Sequence, residues 1–230
     1  MNETNSYITR LVEVTKRYEG PRSATAALSN ISFAASSGET VLFLGPSGSG
    51  KTTLLTLMAG FQRPTSGQVY LFGKQIREFS IRELQSIRAF RIGFIFQAFF
   101  LIDSLTVLQN VMMVRRFAGA DRTGARQSSL EYLRRFKVDH LAGSFPSKIS
   151  QGEKQRVAIA RALVNGAELI IADEPTGSLA SKQGLEIIEF LKQSSHEENR
   201  CVIITSHDER IISYADRVYH LSDGKLTDRH

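Results

Sequence analysis

The sequence is poor in several features that mark particular classes of protein. Its 230 residues include a single cysteine, Cys201, so neither an internal disulfide nor a thiolate zinc site can form. It has no tryptophan, and no apolar run approaches the roughly 20 residues that a membrane-spanning helix needs. The first residues lack the basic region and apolar core of a secretory signal. We therefore expect a protein of a reducing, cytoplasmic compartment that does not itself span a membrane.

The charge balance is basic but dispersed. The net charge at pH 7 is +6, and charged residues make up 23% of the chain, as in ordinary folded proteins. Such a charge permits contact with nucleic acid or an anionic membrane, but the lysines and arginines are not clustered. We favour a solvated basic surface and expect no nucleic-acid partner.

Apolar patterning predicts strands and helices in α/β order within one domain. A mostly helical segment, residues 98–163, is predicted as a subdomain inserted between residues 1–97 and 164–230, and no linker divides the chain. We predict strands at residues 8–14, 26–34, 39–44, 67–72, 91–96, 169–172, 201–205 and 217–221, and helices at 52–58, 80–89, 130–136, 155–164 and 181–193.

A glycine-rich stretch between a predicted strand and a predicted helix carries the strongest chemical signal. Residues 45–52, GPSGSGKT, match the pattern G-x-x-x-x-G-K-[ST] in full. Glycines let successive backbone N–H groups turn towards an anion, and the following helix adds its positive end. Lys51 adds a full charge for the β- and γ-phosphates, and Thr52 offers a hydroxyl to Mg²⁺. A purely structural glycine turn is the alternative, and the complete match in this context favours a phosphate site.

Two carboxylates follow a buried strand further along the chain. Asp173 and Glu174 come directly after the apolar residues 169–172. Ligands of α/β proteins bind at the carboxyl edge of the sheet, where both side chains would lie. Asp173 could then hold Mg²⁺ and Glu174 could activate a water, although an acidic turn that starts a helix is the simpler alternative.

A third motif, S-x-x-E at residues 150–153, has a structural explanation as a capping box that opens a helix. The same helix start, with Ser150 and Gly152, is also a second anion site. One phosphate cradle does not need two such sites, so a second nucleotide and a second copy of the chain are indicated.

In this order the motifs resemble those of the ATP-binding subunit of ATP-binding cassette (ABC) transporters over essentially the whole chain. In that family residues 45–52 resemble the Walker A loop, 149–153 the signature and 169–173 Walker B. The phrases VAIARAL, ADEPTGSL and ITSHD are most similar to the branch of lipoprotein release and macrolide export. The resemblance implies a RecA-like P-loop core of α/β class, an N-terminal antiparallel β subdomain and the inserted helical subdomain.

The resemblance also implies roles for individual residues. Tyr18 would stack on adenine, Gln97 would ligate Mg²⁺, and His207 would reach the γ-phosphate from a position beside Asp173. Each could instead be structural: Tyr18 as an exposed aromatic at a strand end, Gln97 as the end of its strand, and His207 as a hydrogen-bonded structural histidine after an apolar strand. The residues implied for nucleotide binding are Tyr18, Gly45, Pro46, Ser47, Gly48, Ser49, Gly50, Lys51, Thr52, Thr53, Ser150 and Gly152; for catalysis, Glu174, His207 and Lys51; and for Mg²⁺, Thr52, Gln97 and Asp173.

The sequence departs from the family pattern at two places. In the signature, Gln151 stands where glycine is usual and Glu153 where glutamine is usual. In residues 178–181, which resemble the family's D-loop, Ala180 replaces the usual aspartate. We expect the signature to work, because Ser150 and Gly152 are present, and we expect weak coupling at the D-loop unless Ser178 or Ser181 substitutes.

By resemblance, two copies enclose two ATP molecules with Mg²⁺, and a separate integral membrane permease converts the cycle into export or mechanical work. Membrane contact would be made only through that permease, on the inner face of the membrane, with residues 98–111 as part of the docking surface. The apolar residues 99–102 of this segment could instead belong to the core of the helical subdomain. A soluble ABC-type ATPase of DNA repair or translation is the alternative, but the chain has no long heptad insertion, zinc-hook cysteine pair or second cassette. A P-loop small-molecule kinase would not need the signature helix.

Overall fold

The computed structural model describes residues 7–19, 24–176 and 181–229. The strands are β1 Tyr7–Glu19, β2 Ala24–Ser36, β3 Thr40–Leu44, β4 Ser66–Leu71, β5 Lys74–Gln75, β6 Ile92–Ile95, β7 Leu169–Asp173, β8 Cys201–Ser206, β9 Arg217–Ser222 and β10 Lys225–Arg229. The α-helices are α1 Lys51–Met58, α2 Ile81–Phe90, α3 Val107–Phe117, α4 Arg122–Arg135, α5 Gln151–Leu163 and α6 Ser181–Glu198.

The larger of the two sheets that these strands form is mostly parallel. Its strand order is β10-β9-β3-β8-β7-β6, with β10 antiparallel to β9 and the other neighbours parallel. Every residue of β3, β7 and β8 is buried, as expected for strands covered on both faces. Helices connect the parallel strands, so the predicted α/β class is confirmed.

The smaller sheet is antiparallel, with the order β2-β1-β4-β5. Strands β1 and β2 are each 13 residues long, and extend well beyond the predicted residues 8–14 and 26–34. Register shifts, for example between Leu11 and Val14, interrupt the pairing of β1 with β2. A bulge breaks the alternation of apolar residues, which is why the pattern ended too early.

Two apolar clusters fill the two faces of the parallel sheet. Leu11, Leu54 and Phe43 belong to the cluster between this sheet, α1 and the antiparallel sheet. Leu42 and Val111 belong to the cluster on the other face, which also receives side chains of α3 to α6. Neighbouring residues of β3 thus point to opposite faces of the sheet. The same strand therefore contributes side chains to both apolar clusters.

Most predicted elements are present, and several bounds differ. The predicted helix at residues 130–136 is the end of α4, whose arginine-rich sequence carries a weak apolar period. Strand β10 was not predicted, because its sequence, KLTDR, is mostly polar. The subdomain boundaries at residues 98 and 163 stay predictions. None of the helices in the described part of the chain combines the length and apolar character that crossing a membrane requires.

Candidate nucleotide site

The carboxyl ends of β3, β7 and β8 meet at one edge of the parallel sheet. Leu44 at the end of β3 pairs with Ser206, and Asp173 at the end of β7 pairs with Thr205. A cleft of about 340 Å³ opens there. It is lined by Ala27, Ser47, Gly48, Gly50, Lys51, Thr52, Thr53, Gln97, Asp173, Glu174 and His207. The sheet therefore gathers most of the predicted site residues, as its topology requires.

The loop from β3 to α1 forms the floor of the cleft. Gly50 is the N-cap of α1 and has a φ of 105°, which an L side chain rarely adopts. A Cβ at Gly50 would lie 2.5 Å from the carbonyl oxygen of Ala27. Backbone conformation and packing both require glycine there, and the free N–H groups at the start of α1 make an anion site.

Lys51 lies in the cleft with its ammonium group already engaged. Its Nζ donates to the carbonyl oxygens of Gly45 at 2.7 Å and Pro46 at 3.0 Å, and lies 3.3 Å from Glu174 Oε1. The side chains of Lys51 and Glu174 are almost fully buried. The loop's own carbonyls thus aim the one buried cation of the described cleft into it.

Asp173 is held on both carboxylate oxygens. Thr52 Oγ1 donates to Asp173 Oδ2 at 2.7 Å, and Thr205 Oγ1 donates to Oδ1 at 2.7 Å. Thr205 was missed by the sequence analysis, because its role depends on the pairing of β8 with β7. The donor set of a hydroxyl and a carboxylate oxygen suits a hard cation such as Mg²⁺.

Glu174 connects the lysine to the predicted histidine. It has a φ of 48°, and its N–H donates to the carbonyl oxygen of Thr205 at 3.1 Å. Its Oε2 lies 3.0 Å from Nδ1 of His207, whose side chain is 65% exposed. We expected His207 beside Asp173, and this was wrong: Thr205 is opposite Asp173, and the turn after β8 brings the histidine to Glu174.

The charges of the cleft favour a cation. Asp173 and Glu174 are both buried, and the one buried cation that lines the described cleft, Lys51, contacts Glu174. Burial of two carboxylates against one ammonium group leaves unbalanced negative charge, which costs free energy. A bound divalent cation would remove that cost. Among the described residues, no three histidine, cysteine, aspartate or glutamate side chains lie close enough together to hold a metal ion.

Gln97 lines the cleft, and Tyr18 contacts one of its lining residues. Gln97 follows β6. Tyr18, near the end of β1, places its Oη 3.5 Å from Thr53 Oγ1 and donates to Gln62 Oε1 at 2.7 Å. Tyr18 is 41% exposed and lies next to α1. This helix follows residues 45–50, which we call the phosphate loop. Thr53 and Ala27 line the same cleft, and Ala27 carried no recognisable signal in the sequence.

The signature residues form a separate feature. Ser150 is the N-cap of α5, and its Oγ accepts from the N–H of Glu153 at 3.3 Å. The Glu153 carboxylate accepts in return from the Ser150 N–H at 2.7 Å and from the Ser150 hydroxyl at 2.8 Å, and these two hydrogen bonds lower the pKa of the Glu153 carboxyl. The predicted capping box is thus present. Within the described part of the chain, neither Ser150 nor Gly152 lines the cleft.

The remaining predicted residues are placed as follows. Ser47 and Gly48 line the cleft, while Pro46 contributes its carbonyl to Lys51. Ser49 is buried, and its Oγ contacts no hydrogen-bond partner among the described residues. Ser178 and Ala180 of the D-loop lie outside the described residues, and Ser181 is the first residue of α6.

Comparison with known sequences places the chain in a family. The sequence profile of a family described as "ABC transporter" matches residues 28–177. The macrolide export ATP-binding/permease protein MacB of Agrobacterium fabrum is 36% identical over 217 residues, which cover 94% of this chain and 33% of MacB. The chain thus spans about a third of the length of this relative. The ABC transporter ATP-binding protein MJ0796 of Methanocaldococcus jannaschii is 38% identical over 94% of each chain.

Solved structures show the same architecture. A dimeric structure of a post-hydrolysis state of the ATP-binding cassette MJ0796, bound to ADP and Pi, has a TM-score of 0.90 and 36% identity, and the match covers 96% of this chain and 99% of that chain. The cbiO1 protein of Clostridium perfringens, part of an ABC transporter complex, has a TM-score of 0.85, 29% identity and a match over 96% of this chain and 87% of that chain. The predicted RecA-like core is therefore confirmed.

Proposed function

Because the chain belongs to the ABC transporter family, we propose that it is an ATP-binding and ATP-hydrolysing subunit that works as a pair of copies with a membrane permease. The observation that carries this proposal is one cleft that holds two preformed groups of polar side chains. Thr52 donates to Asp173 at 2.7 Å, and Glu174 contacts Lys51 at 3.3 Å and His207 at 3.0 Å.

Nucleotide phosphates would lie on the N–H groups at the start of α1. Lys51 already points into the cleft, so the ammonium group need only exchange its contact with Glu174 for phosphate oxygens. Such charge-assisted hydrogen bonds are among the stronger ones in proteins. Tyr18 flanks this helix through Thr53, where an exposed ring can stack on a base.

Mg²⁺ would be held by Thr52 and Asp173, with Gln97, which lines the same cleft, as a further ligand. When bound, Mg²⁺ supplies charge neutralisation for the phosphate oxygens. Mg²⁺ is usually bound by one or two protein ligands together with substrate phosphates and waters. Thr52, Asp173 and Gln97 suit this mode of binding, because the described cleft has few carboxylates and leaves coordination positions for phosphate oxygens.

Glu174 would accept the proton of the attacking water. Its carboxylate is buried, directly follows Asp173 and touches both Lys51 and His207, so its position is held from two sides. When phosphates draw Lys51 away, the Oε1 atom of Glu174 loses its contact with the ammonium group and is free to contact the attacking water. His207 would keep the carboxylate oriented, and its exposed ring can reach a phosphate at the mouth of the cleft.

The second copy would supply the signature residues. Ser150 and Gly152 open α5 away from the cleft, so one chain presents the two parts of a nucleotide site on different surfaces. A two-fold pair brings each part against its counterpart on the other copy and makes two equivalent sites. The dimeric structures of MJ0796 describe that relative, and we extend their arrangement to this chain.

The permease would dock beside Gln97. Phe100 is 64% exposed and Ile102 is also exposed, whereas Val107, Asn110 and Val111 of the predicted docking segment are buried. The docking surface is therefore restricted to the beginning of residues 98–111. Apolar side chains exposed together mark interaction sites. Contact with the permease would hold the chain on the inner face of the membrane, and the MacB relatives favour a role in export.

Two measurements test this proposal. The purified chain should hydrolyse ATP in the presence of Mg²⁺, and hydrolysis should stop when EDTA removes the ion. A tagged chain should copurify from detergent extract with an integral membrane protein. Hydrolysis without a membrane partner, together with copurified repair or translation proteins, would favour the soluble class instead, and a phosphorylated small molecule as product would favour a kinase.

A further inference from the structure

The tip of the β9–β10 hairpin lies directly behind the phosphate loop. Asp223 and Gly224 have φ values of 48° and 71°, and Ser222 pairs with Lys225. Two consecutive positive φ values in a two-residue connection make a type I′ turn, for which Asp-Gly is a favoured sequence. Among the described strands, β10 pairs only with β9, so this tip is at an edge of the parallel sheet.

A single residue of the tip bonds to both the phosphate loop and the antiparallel sheet. The N–H of Gly224 donates to the carbonyl oxygen of Ser49 at 3.2 Å. The carbonyl oxygen of Gly224 accepts from the N–H of Ser29 at 2.8 Å. The hairpin thus links β2 to the loop that leads into α1.

The bond to Ser49 orients a neighbouring N–H group. The carbonyl of Ser49 and the N–H of Gly50 belong to one planar trans peptide, so they point in opposite directions. Because Gly224 holds the Ser49 oxygen on the hairpin side, the N–H of Gly50 points away from the hairpin. Gly50 lines the cleft, which makes its N–H a donor for an anion there.

The contact is packed too closely for any side chain. A Cβ added to Gly224 would lie 2.7 Å from the carbonyl oxygen of Ala27 and 3.1 Å from Cα of Leu28. A Cβ at Gly50 would meet the same Ala27 oxygen at 2.5 Å. Three backbone segments, the phosphate loop, β2 and the hairpin tip, therefore touch directly, and no side chain can absorb a displacement.

We propose that Gly224 is a positioning residue for nucleotide phosphates, acting through Ser49 to aim the N–H of Gly50 into the cleft. This rests on the proposed function of the cleft as an ATP site, and it places part of that site in the hairpin, outside the motif of residues 45–52. A phosphate that accepts from Gly50 polarises the peptide and strengthens the bond from Gly224 to Ser49. Nucleotide binding and order at the hairpin tip are thus coupled.

Gly224→Ala tests the proposal, and Gly166→Ala is its matched control. Gly166 has nearly the same φ, 72°, but a Cβ there would meet nothing within 4 Å. Both variants force alanine into a left-handed conformation, and only Gly224→Ala also pushes against Ala27. Calorimetry should show ATP and ADP bound about tenfold more weakly by Gly224→Ala, the cost of one misaligned donor. Gly166→Ala should bind both as the parent does, although its left-handed alanine also lowers thermal stability.

A measurement on the unchanged chain covers the case in which Gly224→Ala fails to fold. Hydrogen exchange of the Gly224 amide should slow on addition of MgADP. The amide of Gly166, which donates to Leu163 at 2.9 Å, should exchange at the same rate with or without it. In steady-state assays of a folded Gly224→Ala chain, KM for ATP should rise more than kcat falls.

Two results would overturn the proposal: equal nucleotide affinity in Gly224→Ala and Gly166→Ala, or exchange at Gly224 that MgADP leaves unchanged. Both are read against a parent chain that binds ATP. A parent chain that binds neither ATP nor ADP would instead overturn the proposed function itself, and this inference with it.

Discussion

The phosphate cleft and the start of α5 both offer groups for anions, but they are built differently. In the cleft, groups from β3, β7, β8 and α1 contact one another, and Lys51, Asp173 and Glu174 are buried. At the start of α5, Ser150 and Glu153 satisfy only each other, near the surface. In the first region the buried carboxylates outnumber the buried cation, an imbalance that a bound divalent cation would relieve, and the described start of α5 has no buried charges.

This difference indicates which region binds first. Unpaired helix N–H groups and buried charges already aimed into a cleft favour binding before any partner arrives. At the start of α5, the capping box already satisfies the N–H groups of Ser150 and Glu153 in the isolated chain, and no buried charge among the described residues there needs a ligand. We infer that ATP enters the cleft of one copy and that the start of α5 of the second copy closes over it.

Among the variants that test the difference between the two regions, Lys51→Ala in the cleft is expected to have the largest effect. The variant should bind ATP at least ~100-fold more weakly, because two charge-assisted hydrogen bonds to phosphate are lost. It also leaves the buried Glu174 without its cation. Isothermal titration calorimetry measures the affinity, and Lys74→Ala is the control, since Lys74 forms an exposed pair with Glu83 outside the cleft. Unchanged affinity in Lys51→Ala would refute the role of the cleft.

The next effect is expected from Glu174→Gln. An amide keeps the shape of the side chain but cannot accept a proton from water, so hydrolysis should slow by ~10²- to 10⁴-fold. ATP binding should persist, and gel filtration with ATP should show a stable dimer. Glu168→Gln serves as the control, because Glu168 pairs with Arg91 away from the cleft. A Glu174→Gln chain that hydrolyses at the parent rate would show that another group is the base.

A smaller effect separates capping from nucleotide contact at the start of α5. Ser150→Ala and Ser80→Ala each remove the N-cap of a capping box, so each should cost about 1 kcal/mol of stability. Only Ser150→Ala should also weaken the ATP-dependent dimer, by about tenfold. Thermal unfolding and sedimentation of both variants, in the Glu174→Gln background, provide the comparison. Equal dimerisation of the two would mean that Ser150 is only a cap.

The smallest effect is expected from Glu153→Gln. Glutamine can accept from the N–H of Ser150 as glutamate does, so capping should persist. Removing a negative charge next to the partner's phosphates should strengthen the ATP-dependent dimer by about threefold, a typical size for exposed charges. A weaker dimer in this variant would show that the carboxylate itself has a positive role.

The same residue predicts a dependence on pH. The folded pKa of Glu153 lies below its usual value of 4.5, so its stabilising contribution is complete above pH 4.5 and is lost as the pH falls through the lowered pKa. Thermal unfolding of the parent should therefore lose slightly more stability on acidification than that of Glu153→Gln. Identical losses in the two chains would show that the capping hydrogen bonds contribute nothing measurable.

How far the site could be predicted depended on whether its residues are neighbours in sequence. Residues 45–52 could be recognised because the loop and the helix that use them are continuous in the chain. Thr205 could not, because its bond to Asp173 requires the register of β8 on β7. The position of His207 was misjudged for the same reason, since the path of the turn after β8 decides which carboxylate it meets.

The secondary structure shows the same difference between features set by local sequence and features set by distant pairing. Buried central strands such as β7 and β8 were predicted nearly to the residue, because continuous apolar runs have few alternatives. The ends of β1 were not, because bulges shift its register, and β10 was missed because its polar residues are ordered by pairing with β9. Gly224 was visible as a turn, but its contacts with Ser49 and Ser29 arise from three distant segments.

One mixing experiment tests most directly whether two copies complete each other. Lys51→Ala damages the cleft of its chain, and Ser150→Ala damages the start of α5. A pair made of one of each contains one site with both lesions and one site with none. We predict that each variant alone hydrolyses ATP slowly and that a mixture of the two regains a clear part of the parent activity. A mixture no more active than the average of its two components would contradict the account.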